Sequence, residues 1–352
     1  MKGVVLCGGT GSRLRPITYS IAKQLVPVGN KPILFYGLED LASAGIREVG
    51  LIVAPDTAGE IRQAVGDGAA FGLEVTYIVQ DQPRGLAHAL KTALPWVDGD
   101  DVLMYLGDNL LKHGVNGVVD DFLRERPNCQ ILLARVEDPG AFGVVELDGA
   151  GAVVRLVEKP KDPPSDLALV GAYLFDSTVA EAVGAIEPSA RGEFEITDAI
   201  QYMVDSGRTV RPSLVTGWWK DTGKKEDLLH ANELVLEELE DDIRGRVVDC
   251  TIEGPIHVDE GAQLVGCTVR GPVVIGRDAV LEGVSVGPST SIGMDSILTD
   301  AVVEESIVFP GVQIHDWRLR NSVVGRDSRL LGSGPSGYCE MMLGERSEVR
   351  GE

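Results

Sequence analysis

LCGGTGSRLRPIT, residues 6–18, follows directly on the apolar residues Val4 and Val5. A short strand running into glycines at 8, 9 and 11 leaves backbone N–H groups open to approach by oxygen atoms. The loop is not a P-loop, because no Lys-Ser/Thr pair follows the glycines, and it does not fit G-x-G-x-x-G. Arg13, and Lys23 in "AKQLVP", put two cations close behind the glycines of a chain whose formal net charge is −22. Guanidinium and ammonium groups gathered on an acidic protein point to a polyphosphate. A tight structural turn is the plain alternative.

Outward from this loop, short apolar runs alternate with helical stretches as far as about Gly223. "GVVLC", "EVGLIVAP", "EVTYIVQ", "DVLMYLGD", "CQILLARV" and "LALVGAYLFD" read as strands. "ILFYGLEDLASAGI" repeats its apolar positions at three and four residues, as a helix does. The alternation predicts an α/β domain over 1–225 with a Rossmann-like, mostly parallel sheet. "FGVVELDGAGAVVRLVEKP" reads as a hairpin across Asp148-Gly149, which makes the sheet mixed. "KEDLLHANELVLEELEDDIR" predicts an amphipathic helical connector, 226–245.

Beyond it the texture changes to β-branched residues and glycines. Ile252, Val269, Val286 and Val303 are 17 apart, as are Val258, Ile275 and Ile292, and Leu264, Leu281 and Leu298. Steps of 16 continue through Val308, Ile314, Leu319, Val324 and Leu330. Aliphatics every five or six residues describe a triangular coil of hexapeptide type, each side a short parallel strand. About five coils fit over 246–332, above the minimum of about three that a solenoid needs. Residues 333–352 show no periodicity and are expected to form a separate tail.

Composition narrows the function. With 44% hydrophobic and 24% charged residues the chain reads as a soluble globular protein. Its negative charge disfavours nucleic acid and anionic membranes as partners. No apolar run reaches the roughly 20 residues of a membrane span, and no signal peptide is read. Cys7, Cys129, Cys250, Cys267 and Cys339 are scattered without a C-x-x-C pair. They imply free thiols and a cytoplasmic protein.

Chemistry-bearing residues recur at strand ends. Asp108 ends "LMYLGD", where ligands bind in open α/β sheets. Asp221 lies in "GWWKDTG", and two carboxylates plus phosphate oxygens suffice for Mg²⁺. Each aspartate alone is more often a turn or helix cap. Glu158 and Lys159 close "LVEKP", and "ARGEFEITD" holds Arg191, Glu193, Glu195 and Asp198. In "VQDQPRGLAHAL", the amide of Gln80 can pair with a base edge and Gly85 permits close approach.

In this order, the loop from Leu6, the lysine of "AKQLVP", "YLGDN", "FGVVE", "LVEKP", "RGEFEITDAI" and "WWKDTG" resemble the sugar-nucleotide pyrophosphorylases. The set looks most like the glucose-1-phosphate thymidylyltransferases in their long form with a C-terminal left-handed β-helix. The resemblance covers nearly the whole chain. It implies dTDP-glucose and pyrophosphate made from dTTP and α-D-glucose 1-phosphate, with Mg²⁺ as cofactor. The nucleotide would meet Leu6, Gly8, Gly9, Thr10, Gly11, Ser12, Arg13, Gln80, Gly85 and Asp108. The metal would meet Asp108 and Asp221. Asn109, Gly143, Glu158 and Val170 match sugar contacts, and Lys159 and Arg191 match contacts to the sugar phosphate. Arg13, Lys23, Lys159 and Asp108 would carry catalysis.

Three residues depart from the family pattern. Cys7 replaces alanine, Phe142 replaces the tyrosine of the short form, and Lys220 adds a charge beside Asp221. Three other readings stay open: another base or sugar 1-phosphate, a second acyltransferase activity through His257 and His315 of the β-helix, and a non-catalytic binder. The β-helix suits assembly, so a homo-oligomer is expected.

Overall fold

The apolar run ahead of the glycine loop becomes an interior strand of a sheet. In the computed structural model, which describes residues 1–352, the chain divides into two units. The first comprises Met1–Gly9 and Leu34–Asp221, the second Thr10–Ile33 and Thr222–Glu352. The first unit lacks the residues that follow Gly9, because the loop segment belongs to the second.

Nine strands build the sheet of the first unit: β1 (Lys2–Cys7), β2 (Glu48–Val53), β3 (Glu74–Val79), β4 (Val102–Leu106), β5 (Cys129–Arg135), β6 (Gly143–Leu147), β7 (Val153–Glu158), β8 (Leu167–Phe175) and β9 (Val210–Leu214). Their order is β7-β6-β8-β4-β1-β2-β3, with β5 joined to β8 and β9. β1 lies parallel between β2 and β4, while β8 runs antiparallel to β4, β5 and β6. The sheet is therefore mixed around a parallel core. The expected hairpin is present as antiparallel β6 and β7. Asp148 closes its turn by accepting hydrogen bonds from the backbone N–H groups of Ala150 and Ala152.

Helices α1 (Ile33–Ser43), α2 (Ala58–Val65), α3 (Leu86–Val97), α4 (Asn116–Glu125), α5 (Val179–Ala185) and α6 (Ile196–Asp205) accompany the sheet. Val4, Met104, Tyr173 and Phe175 pack with Leu90 and Ala93 of α3, Ala182 of α5 and Ile200 of α6 in one apolar core. Neighbouring strands β1 and β4 connect to opposite sides of the sheet. Their carboxyl ends, carrying Gly8 and Asp108, thus flank the topological switch point where such sheets bind ligands.

In the second unit α7 (Lys225–Leu236) leads into a left-handed parallel β-helix whose three faces are parallel sheets of seven, seven and five strands. The sequence periodicity is its register. Ile252 pairs with Val269, Val269 with Val286, Val286 with Val303 and Val303 with Leu319. Leu264, Leu281, Leu298, Ile314 and Leu330 form a second ladder. Val258, Ile275, Ile292, Val308 and Val324 form the third. These inward residues are buried save for the half-buried Ile252, and each contributes roughly 1.5–3 kcal/mol by leaving water. Asp278, Asp295 and Asp327 take the corners with φ of +57°, +58° and +55°, a conformation that aspartate tolerates better than most residues.

Two boundaries differ from expectation. The connector helix stops at Leu236, and Asp242–Ile243 is already a strand paired with the coil above. Residues 333–352 are not a separate tail. Met342–Leu343 and Glu348–Arg350 add a further coil, paired with Val323–Val324 and Arg329–Leu331. Between these coils the step from Val324 to Leu343 is 19 residues; Trp317 stands where the coil below has Ala301, and Gly334 lies against its ring. No helix is long and apolar enough to cross a membrane.

Candidate active site

At the end of β1, Gly8 faces a side-chain amide. A Cβ added to Gly8 would lie 3.2 Å from Gln80 Oε1. Gln80 follows β3, is buried, and its Nε2 lies 2.9 Å from His88 Nδ1. Gly85 caps α3 with φ +100°, and a Cβ there would stand 2.5 Å from the Phe194 carbonyl oxygen. The glycine is thus required by backbone packing as well as by conformation. Phe194 N–H in turn donates to Arg84 O. This ties the Gln80–Gly85 turn to the "RGEFEITD" segment.

Asp108 begins a second cluster. After it, Asn109–Leu111 forms a short antiparallel ribbon with Trp219–Asp221, in which Asp221 sits opposite Asn109. The ribbon brings the two aspartates of distant segments together. Asn109 is 2% exposed, and its amide is fixed on both sides: Nδ2 donates to Asp108 Oδ1 at 2.8 Å, and Oδ1 accepts from Trp219 Nε1 at 2.6 Å. Trp219 also meets Phe142 edge-to-face, with ring centroids 5.5 Å apart. Lys220 opposes Leu110 in the same ribbon. Cys7 lies fully buried, and burial, with Asp108 adding to it, pushes its thiol far above the usual range. It is an inert core thiol rather than a reactive one.

A third cluster gathers around Glu158, which ends β7 opposite Gly143. Glu158 accepts from Arg191 Nη1 at 3.1 Å and from Thr197 Oγ1 at 3.3 Å, and Lys159 Nζ lies 3.7 Å away. Arg191 also pairs with Glu193 at 2.9 Å and with Glu195 at 3.5 Å. Burial, joined by the neighbouring Glu158, raises the carboxyl pKa of both Glu195 and Asp198. Arg191 is the counter-charge that three carboxylates share. Lys159 is exposed, with φ +42°. Val170 is buried on β8, next to Gly171, which faces Trp219 and Asn109.

Of the remaining predicted residues, Leu6 lies in β1 and Gly9 follows it in the first unit, whereas Thr10, Gly11, Ser12, Arg13 and Lys23 belong to the second. Gly11 has φ +60° and starts the turn Ser12–Leu14, and Thr18 Oγ1 donates to its carbonyl at 2.7 Å. Arg13 is exposed, whereas Lys23 is only 6% exposed. Further along this segment, Gly29 N–H donates to Asn232 Oδ1 of α7, and Asn30 Nδ2 donates to Ile292 O of the β-helix. Asn232 also accepts from Ser291 Oγ and donates to Ser289 O. The segment after Gly9, which carries Thr10, Ser12, Arg13 and Lys23, is therefore anchored on the solenoid. His257 lies between Asp242 and Asp259 on one face of the β-helix, and His315 is exposed on another.

Trp219, Thr197 and His88 were missed at the level of sequence. Trp219 neighbours a recognised aspartate, but its partner Asn109 lies 110 residues away.

The donor set bears on a metal. Asp221 lies opposite the residue that follows Asp108, and no group of three or more His, Cys, Asp or Glu residues is placed to hold a metal ion. Such a set fits a divalent cation that arrives with phosphate oxygens, as Mg²⁺ commonly does, rather than a closed protein cage.

Comparisons with known proteins identify the family. The nucleotidyl transferase family matches residues 2–238. A glucose-1-phosphate thymidylyltransferase of Streptomyces griseus is 48% identical over 357 residues, 99% of each chain. One of Streptomyces antibioticus is 55% identical over 266 residues, 75% of this chain and 74% of that one. A crystal structure of a Bacillus anthracis protein in complex with sucrose superposes with a TM-score of 0.63 at 37% identity, covering 66% of this chain and 94% of that one. The switch-point glycines, the paired aspartates and these relatives together place the chain in the nucleotidyl transferase family, among the glucose-1-phosphate thymidylyltransferases.

Proposed function

We propose that this chain joins dTTP and α-D-glucose 1-phosphate to give dTDP-glucose and pyrophosphate. The observation that carries the proposal is the ribbon at the sheet's switch point, which sets Asp221 opposite Asn109, the residue that follows Asp108. Relatives named for this reaction, one matching nearly end to end, support the choice of substrates.

The sugar phosphate is already an oxyanion, so no side chain has to act as nucleophile. Catalysis rests on alignment and charge neutralisation during in-line displacement at the α-phosphorus. Asp108 and Asp221 would hold Mg²⁺, whose charge would polarise the α-phosphate and reduce repulsion between the two anions. Lys159 and Arg191 hold the sugar phosphate, which competes with Glu158, Glu193 and Glu195 for the Arg191 guanidinium. Glu158, Gly143, Asn109 and Val170 shape the sugar side, with Trp219 and Phe142 as its aromatic wall. Gly8, Gly9, Thr10, Gly11 and Ser12 present backbone N–H groups to the triphosphate, beside Leu6. Arg13 and Lys23 stabilise the charge that builds on the leaving pyrophosphate. Gln80 and Gly85 receive the base. The β-helix anchors the segment carrying Arg13 and Lys23 and supports homo-oligomer assembly.

Pyrophosphorolysis tests the reading in reverse. Incubated with dTDP-glucose, pyrophosphate and Mg²⁺, the protein is expected to form dTTP. Consumption of UDP-glucose or ADP-glucose with dTDP-glucose untouched would overturn the base assignment, and no reaction with any of the three would overturn the function.

A further inference from the structure

We propose that His88 is the positioning residue that decides which end of the Gln80 amide meets the nucleotide base, and thereby sets the preference for a base carrying hydrogen on N3. The inference rests on the thymidylyl reading above and deepens it. Gln80 Nε2 lies 2.9 Å from His88 Nδ1, while Gln80 Oε1 is turned toward Gly8 at the end of β1. A neutral imidazole with its proton on Nε2 offers Nδ1 as an acceptor, so the amide nitrogen donates to it. The amide oxygen is then left facing the nucleotide loop. There it can accept from the N3–H of thymine or uracil, whereas cytosine presents an unprotonated N3 and opposes two acceptors.

The imidazole is held in place for this role. His88 lies in the first turn of α3, stacked on Phe194 with ring centroids 6.0 Å apart and planes at 28°. Thr92 Oγ1 donates to the His88 carbonyl. The charged groups acting on the ring are both cations, Arg84 from the preceding turn and Lys91 from α3 itself, and the "RGEFEITD" segment contributes the Phe194 ring. Burial first, then these two cations, lower the His88 pKa from its ordinary value, which favours the neutral ring, the form that can offer Nδ1 as an acceptor. Protonation turns Nδ1 into a donor. The Gln80 amide must then rotate to offer its oxygen to His88, and its NH₂ group faces the base. That arrangement opposes thymine N3–H and suits cytosine.

The test is the ratio of kcat/KM for dTTP to that for dCTP, with dUTP alongside, between pH 5.5 and 8.5. Titration of the triphosphate is common to all three and cancels in the ratio. In the wild type the ratio is high at neutral pH and falls about tenfold on acidification, with dUTP following dTTP. His88→Gln removes the titrating ring and flattens the pH dependence of the ratio. His88→Leu keeps contact with Phe194 but gives a low ratio throughout. Turnover with a flat wild-type ratio, or an unchanged ratio in His88→Leu, overturns the role of His88 alone. No turnover with any of the three nucleotides, in a protein that melts cooperatively, overturns the thymidylyl reading and this inference with it.

Discussion

The β-helix and the catalytic sheet solve different problems with the same chain. In the β-helix one rule repeats: an aliphatic points inward every five or six residues and meets its counterpart one coil away, as Leu264, Leu281 and Leu298 do. Each residue's partner follows from spacing alone. In the catalytic unit the functional groups come from separated segments and meet only because strands end together. Asp108 and Asp221 are neighbours through a three-residue ribbon, and Glu158 and Arg191 through a hairpin and a loop. A repeated contact distributes stability over many residues, whereas convergence concentrates rate in a few.

Substitutions can break this contrast, and the largest effect belongs to the sheet. Asp108→Asn and Asp221→Asn are expected to lower kcat about 100- to 1,000-fold with the urea midpoint nearly unmoved. Equal rates in wild type and variants by pyrophosphate release would remove the carboxylates from the chemistry. In the solenoid the pattern inverts. Leu281→Ala costs about 2–5 kcal/mol of stability in denaturant unfolding, while the rate per folded molecule is retained. Lys159→Ala raises the KM for the sugar phosphate about tenfold or more, as initial-rate kinetics would show.

Asn232 sharpens the comparison, since it belongs to the solenoid side yet holds the segment that carries Arg13 and Lys23. Asn232→Ala leaves Gly29 N–H without its acceptor, costs about 1–3 kcal/mol and also slows turnover. An unaltered kcat would show that the anchor is structural only. The smallest effect is a pH dependence. Because burial raises the folded-state pKa of Glu195, this group favours the folded state at low pH, and that contribution fades as pH rises through the raised value. Melting curves of wild type and Glu195→Gln are expected to separate as pH rises from about 4.5, with the wild type losing ground. Curves that stay parallel would contradict the buried carboxyl.

The contrast also explains what could be read from sequence. The solenoid register was legible because side-chain volume at inward positions leaves only one phase. Its last coil was not, because the step from Val324 to Leu343 is 19 residues and breaks the period. The connector helix was over-extended because apolar spacing says nothing of the acidic run Glu237 to Asp242, whose charges disfavour a helix carboxyl end. That residues 10–33 belong with the β-helix rests on Gly29, Asn30 and Asn232, which hydrogen-bond across 203 residues and more. Asp108 and Asp221 stood out as carboxylates closing apolar runs. Trp219, His88 and Thr197 did not, since each acts through a partner that only the fold supplies.

The central claim is that the converging residues of the sheet select and activate a thymidine triphosphate. Pyrophosphate release with α-D-glucose 1-phosphate and Mg²⁺, run in parallel with dTTP, UTP, ATP, GTP and CTP, tests it most directly. The account predicts fastest release with dTTP and weaker release with UTP. Release favouring a purine, or none with any of the five, would contradict it.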